Sequence, residues 1–210
     1  AYRPDALCLQ ETKVEDKDFP FAEIAAAGYR AIHHGQKTYN GVALLSRIEA
    51  ADVVRGIPDS ADFGDPQARV IAATVGDVRI VCAYFPNGQA VGSDKYEYKL
   101  KWLKALTAWL REEMTRHQKL ALAGDFNIAP DDRDVHNPVA WRGQILCSEP
   151  ERDAFRALLG LGLADAFRLF DQPERVFSWW DYRMLGFQKN QGLRIDHILL
   201  SPALAAKCAS

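Results

Sequence analysis

This sequence lacks any excess of charge of one sign. Lysine and arginine number 26 against 28 acids, a net charge of −2, so nothing global argues for a polyanionic partner, which is usually held by a basic surface. Cysteine is scarce as well. Cys8, Cys82, Cys147 and Cys208 are widely spaced, which speaks against a zinc site or a disulfide framework and favours free, buried thiols. No stretch approaches the roughly 18 uninterrupted apolar residues of a membrane span, and the N-terminus has neither the basic nor the apolar region of a secretory signal. A cytoplasmic protein with no membrane partner is therefore expected. Low-complexity tracts, fixed-period repeats and linkers are also missing, so the economical reading is one domain over 1–210.

What is there alternates short apolar runs with helical periodicity, and 48% hydrophobic content over 210 residues is ample for a core. "DALCLQ", "YRAIHH", "GVALLSR" and "ADVVRG" read as strands, and "FPFAEIAAAG" as a short helix ended by Gly28. "ARVIAATVGDVRIVCAYF" predicts a hairpin turning at Gly76 and Asp77. Tyr98, Trp102, Leu106, Trp109 and Leu110 recur every three or four positions, which predicts a helix over 96–117 with one buried face; Lys95, Lys99, Lys101 and Lys104 then belong to a solvated basic face. A strand over 120–126 follows, then a helix in "PERDAFRALLGLG", then strands in "VFSWWDYR" and "LRIDHILLS". The hairpin excludes a purely parallel sheet, and the mixture predicts an α/β or α+β sandwich with sheets inside and helices outside.

Three acids share one setting. Glu11 follows "ALCLQ", Asp125 follows "LALAG", and Asp196 interrupts "LRIDHILL". Any one of them could be a capping or turn carboxylate. Together, at the ends of core strands, they can meet in a cleft held by a rigid sheet. Hard oxygen donors with no Cys or His cluster select Mg²⁺, with Mn²⁺ the other choice, and Mg²⁺ borrows ligands from substrate phosphate. The chemistry expected is hydrolysis of a phosphoester.

Five motifs, "LQETK", "YNGVALLSR", "YFPNG", "GDFNIAP" and "LRIDHILLS", occur in the order found in the exonuclease III family of apurinic/apyrimidinic endonucleases, and with "FSWWDYR" the chain most resembles the bacterial branch. The resemblance spans practically the whole sequence. It implies a deoxyribonuclease-I-like, four-layer sandwich of two mixed sheets flanked by helices. It also implies a Mg²⁺-dependent DNA repair nuclease that cuts 5′ of abasic sites and trims or unblocks 3′ ends of duplex DNA. By the same resemblance Glu11 matches a metal-binding glutamate. Asp125 and Asn127 match the pair that positions the attacking water and steadies the phosphate, with Asp125 a candidate general base. Tyr84 matches a tyrosine lying against the scissile phosphate, Asn87 an assisting amide, and Asp196 a supporting aspartate. Tyr39 and Arg69 correspond to contacts with the DNA backbone or minor groove, and Asn137, in "VHNP", is assigned to substrate binding as well. Phe177, Trp179 and Trp180 fall where the family forms an apolar pocket for a flipped-out, baseless sugar; the alternative is that they fill core.

The family pattern also carries an asparagine-bearing strand before the equivalent of residue 1 and a Ser-Asp-His strand after the equivalent of residue 210. Neither lies in this sequence, so the domain is expected to be incomplete at both ends and the 210 residues alone nearly inactive. His197, next to Asp196, should face the opposite side of its strand and serve structure. A monomer is expected, since a bent duplex needs one face free. Two other readings compete: a phosphoesterase of the same fold acting on a phosphoinositide or phospholipid, and a catalytically impaired DNA-binding module.

Overall fold

The computed structural model of the chain describes residues 3–58 and 64–209. Among these, β1 (Ala6–Gln10), α1 (Phe21–Ala26), β2 (Arg30–His34) and β3 (Val42–Ser46) come first. The three strands form an antiparallel sheet of order β1-β3-β2. β4 (Ala50–Arg55), β5 (Val70–Val75) and β6 (Val78–Tyr84) follow, with the expected turn at Gly76 and Asp77 between the last two. Then come α2 (Asp94–Arg116), β7 (Leu120–Asp125), α3 (Pro138–Trp141), α4 (Glu149–Leu159) and β8 (Ala164–Asp165). A ribbon of β9 (Trp179–Trp180) and β10 (Gly192–Leu193), the strand β11 (Asp196–Leu200) and the turn of helix α5 (Pro202–Ala205) complete the fold.

The second sheet has six strands in the order β4-β5-β6-β7-β11-β8. It is mixed: β6 and β7 run parallel, with α2 as their crossover, and its other pairs are antiparallel. Alternation along the strands sorts side chains into layers. Val42 and Leu44 meet Ile71, Ala73 and Cys82 between the sheets. Ala43 and Leu45, on the other side of β3, pack with Phe19 and Ile24 under α1. Val70, Ala72, Val81 and Ala83 meet Trp102, Leu106 and Phe155 of α2 and α4. The result is helix, three-stranded sheet, six-stranded sheet, helices.

Two local expectations are corrected. "VFSWWDYR" keeps only Trp179 and Trp180 in strand, because side chains capture the backbone on both sides: Ser178 Oγ accepts from the amides of Ile195 and Asp196, and Asp181 Oδ1 accepts from the amide of Arg183. Lys99, expected on the solvated face of α2, is fully buried. The four cysteines are free, with Cys82 and Cys147 buried.

Candidate active site

The ladder of the six-stranded sheet builds the site. Tyr84 is the last residue of β6 and pairs with Asp125, the last of β7, which in turn pairs with Asp196, the first of β11. Paired residues on neighbouring strands project to one side, so a phenol and two carboxylates stand in a row across three strands. Gly124 makes the approach possible: a Cβ there would lie 1.9 Å from the Ala83 carbonyl oxygen. Glu11 arrives from the other sheet, at the end of β1, and accepts a 2.9 Å hydrogen bond from the Tyr84 hydroxyl. Its backbone sits at φ 54, and Asn127 sits at φ 49, a conformation most side chains avoid and one often retained at functional sites.

Each group is held. Asn127 donates from Nδ2 to Asp125 Oδ2 at 3.1 Å and to the Phe85 carbonyl at 3.1 Å, and its amide N–H donates to Asp125 Oδ1 at 2.8 Å. Both side-chain hydrogens of Asn127 are thereby committed, so in this arrangement it orients Asp125. Asn87 donates to Asn127 Oδ1 at 3.0 Å. The Arg69 guanidinium lies 5.0 Å from the centre of the Tyr84 ring, and donates to Gln67 Oε1 at 3.0 Å and to the Tyr84 carbonyl at 3.3 Å.

Charge is concentrated here. Burial, the neighbouring Asp196 and, more weakly, Glu11 push the Asp125 carboxyl up to about 7; the Asn127 amide and the Lys99 charge pull against that rise. Asp196, at the mouth of the cleft, is raised by the protein crowded around it, with Ser178 opposing. Burial also works against the charge on Glu11, but hydrogen bonds from Lys13 and Tyr84 outweigh it and hold that carboxyl below its ordinary value; Lys13 Nζ lies 2.5 Å from Glu11 Oε2. Tyr84 is raised by burial and by Glu11, so it stays a protonated donor at neutral pH. Among the described residues no three His, Cys, Asp or Glu side chains form a closed metal cage. The donors are an open row of oxygens, which fits a hard cation that keeps much of its water.

The remaining residues spread outward. Phe177 is buried and lines, with Asp196, Ser178 and Gly124, a cleft of about 740 Å³ between the sheets. Trp179 is 37% exposed on the ribbon. Trp180 donates from Nε1 to Asn190 Oδ1 at 3.1 Å and meets Phe187 edge-on. Tyr39 is exposed. Asn137 caps α3, its Oδ1 accepting from the Ala140 amide at 3.2 Å, and none of its described hydrogen bonds reaches the acidic row. His197 is buried against the Ile128 carbonyl at 2.9 Å and is pushed down to about 4 by burial and by Arg194; it faces away from Asp196, as alternation predicts. Sequence reasoning missed Ser178, whose hydroxyl fixes the entry into β11, and Asn40, buried at φ 55 and donating to Gln36 and Gln67. Both lie inside motifs quoted above, but a lone Ser or Asn carries no spacing signal.

The model of the Endonuclease/Exonuclease/phosphatase family matches residues 1–210. The chain is 38% identical to exodeoxyribonuclease III of Haemophilus influenzae, over 99% of this chain and 81% of that protein. A 3′ phosphatase from Neisseria, solved with a product DNA hairpin, superposes with a TM-score of 0.93 at 50% identity, over 97% of this chain and 78% of that one. An AP endonuclease from Archaeoglobus fulgidus superposes with a TM-score of 0.92 at 36% identity, over 99% and 80%. The chain belongs to the endonuclease/exonuclease/phosphatase family, in its exonuclease III branch of nucleases.

Proposed function

We propose that this protein is a divalent-cation-dependent DNA repair nuclease that hydrolyses the phosphodiester 5′ of abasic sites and clears nucleotides or blocking groups from 3′ ends of duplex DNA. The observation that carries the reading is the row of Tyr84, Asp125 and Asp196 across adjacent strands, with Glu11 hydrogen-bonded to Tyr84. A divalent cation, Mg²⁺ or else Mn²⁺, held through Glu11 would supply positive charge to a phosphate oxygen as it becomes more negative. Asp125, with a pKa near 7 and two hydrogen bonds from Asn127 fixing its orientation, takes a proton from the attacking water. Tyr84 is kept protonated and, by turning its one hydroxyl hydrogen away from Glu11, donates to a phosphate oxygen. Asn87 keeps one Nδ2 hydrogen in addition to the one given to Asn127 and offers it to the same group.

Arg69 and the exposed Tyr39 contact the DNA backbone, Asn137 flanks it, and Phe177, Trp179 and Trp180 receive the baseless sugar. No helix of the described residues is long and apolar enough to cross a membrane, and the free cysteines suit a reducing interior; we assign the protein to the cytoplasm, as a monomer. The 50% identity to a Neisseria 3′ phosphatase favours 3′-end clearing as the second arm of the activity. The test, made on the protein as the cell produces it because the 210 residues alone are expected to be nearly inactive, is a parallel assay with Mg²⁺ on an abasic duplex, a duplex ending in a 3′ phosphate, and an inositol phosphate. Incision or dephosphorylation of DNA, lost on Asp125→Asn, is expected. Turnover of the inositol phosphate with neither DNA processed overturns the reading.

A further inference from the structure

The geometry points to Lys99, braced by Glu151, as the positioning residue that holds both asparagine loops of the active site in register. Lys99 projects from α2 into the protein and is wholly buried. Its ammonium has three hydrogens, and three acceptors take them: the Asn127 carbonyl at 2.7 Å, the Asn87 carbonyl at 3.2 Å, and Glu151 Oε1 in a very short contact. Glu151 is equally occupied. Oε1 also accepts from the Leu146 amide, and Oε2 accepts from the Ser148 amide and hydroxyl, closing the capping box of α4.

The two carbonyls belong to the residues whose side chains are joined to each other and to Asp125. One cation therefore pins, from below, the backbone of a pair whose amides face the site. The chain makes room for it: Gly88 lies at φ 90, and a Cβ there would come within 3.1 Å of Lys99 Cδ. Asn127 sits in a left-handed conformation that needs surrounding contacts to persist, and the carbonyl bond from Lys99 is one of them. The Lys99 charge also favours the ionised form of Asp125.

The inference rests on the nuclease reading for its kinetic arm, but not for its structural one. Lys99→Met replaces the buried ammonium by an apolar chain of similar length. A second buried pair involving α2, Arg79 of β6 with Glu113 at 2.6 Å, lies at the far ends of the two elements and serves as control. On abasic duplex, Lys99→Met should lower kcat at least tenfold with KM within about twofold, since a misplacement of about 1 Å can cost on the order of 10²-fold. Arg79→Met should lose stability with kcat near wild type. In parallel, the Asn87 and Asn127 side-chain amide resonances should shift and lose protection in Lys99→Met only. Should Lys99→Met fail to fold, Glu151→Gln, which leaves the lysine in place, carries the same two readouts with a smaller kcat loss. Wild-type kcat and unmoved amide resonances in these variants overturn the inference. Amide resonances that respond in a protein without turnover on DNA uphold the positioning role and remove the nuclease reading instead.

Discussion

Two groups of carboxylates gather around β11 and its approach, and they are treated oppositely. Asp134 and Asp165 are buried and matched by arginines: Arg194 Nε lies 2.7 Å from Asp134 and Arg194 Nη2 2.8 Å from Asp165, and Arg168 also pairs with Asp134. Asp125 and Asp196 stand in adjacent strands with no lysine or arginine among their described ion pairs, and burial, followed by the neighbouring Asp196 charge, raises Asp125 to about 7. A fold able to place two guanidiniums beside one acid pair could have done so for the other. Asp196, in the unmatched row, is exposed, where a cation and a phosphodiester can reach it. Charge imbalance, more than acid content, separates the site from the scaffold.

That contrast can be broken in order of effect. Asp125→Asn should reduce turnover by about 10³ or more, as loss of a general base does. It should also stabilise the protein in chelator-containing buffer, by on the order of 2–4 kcal/mol at pH 8 given a rise of about three units. The folded-state value lies above the ordinary 3.8, so the native contribution of Asp125 is present below about pH 4 and lost as pH rises through 7. Denaturant melts at pH 5 and pH 8 check this: the gain should be clearly larger at pH 8 than at pH 5, because at pH 5 only part of the gap between the unfolded value and about 7 has been crossed, and equal gains at both would refute the charge argument.

Asp134→Asn should do the reverse, losing about 3–5 kcal/mol by leaving Arg168 without its described counter-charge and Arg194 with Asp165 alone, with no stabilisation at any pH. Divalent cation gives the next contrast. At about 100 times its Kd, Mg²⁺ should stabilise the protein by about 2.7 kcal/mol, seen as a rise in Tm; Glu11→Gln should weaken that response, and a response preserved in full would remove Glu11 from the metal site. Last, Trp179 is 37% exposed and Phe177 only 7%. Trp179→Ala should weaken abasic DNA binding by about 1–3 kcal/mol with an unchanged melt, while Phe177→Ala should cost about 3–5 kcal/mol of stability. Fluorescence titration and thermal melts separate the two.

Elements with strong local signals were legible beforehand. The Gly76 turn, the long amphipathic α2, and the strands from Ala6 to Tyr84 follow from period and turn chemistry, and the ordered motifs named Glu11, Asp125 and Asp196. The β9–β10 ribbon was overestimated because Ser178 and Asp181 hydrogen-bond to backbone, a choice that periodicity does not encode. Lys99 was assigned to solvent because lysine on a helix usually is; its partner Glu151 lies 52 residues away.

Residue order and type alone determined the layers, since alternation and helical spacing decide which faces must be dry. They also determined which acids sit at strand ends. Only the tertiary structure decided that Tyr84, Asp125 and Asp196 share a row and that Glu11 reaches it from the other sheet, because ladder register is set by pairing across long loops. It alone chose which acids receive arginine and which stay unmatched, since that choice rests on distances between groups the chain keeps far apart.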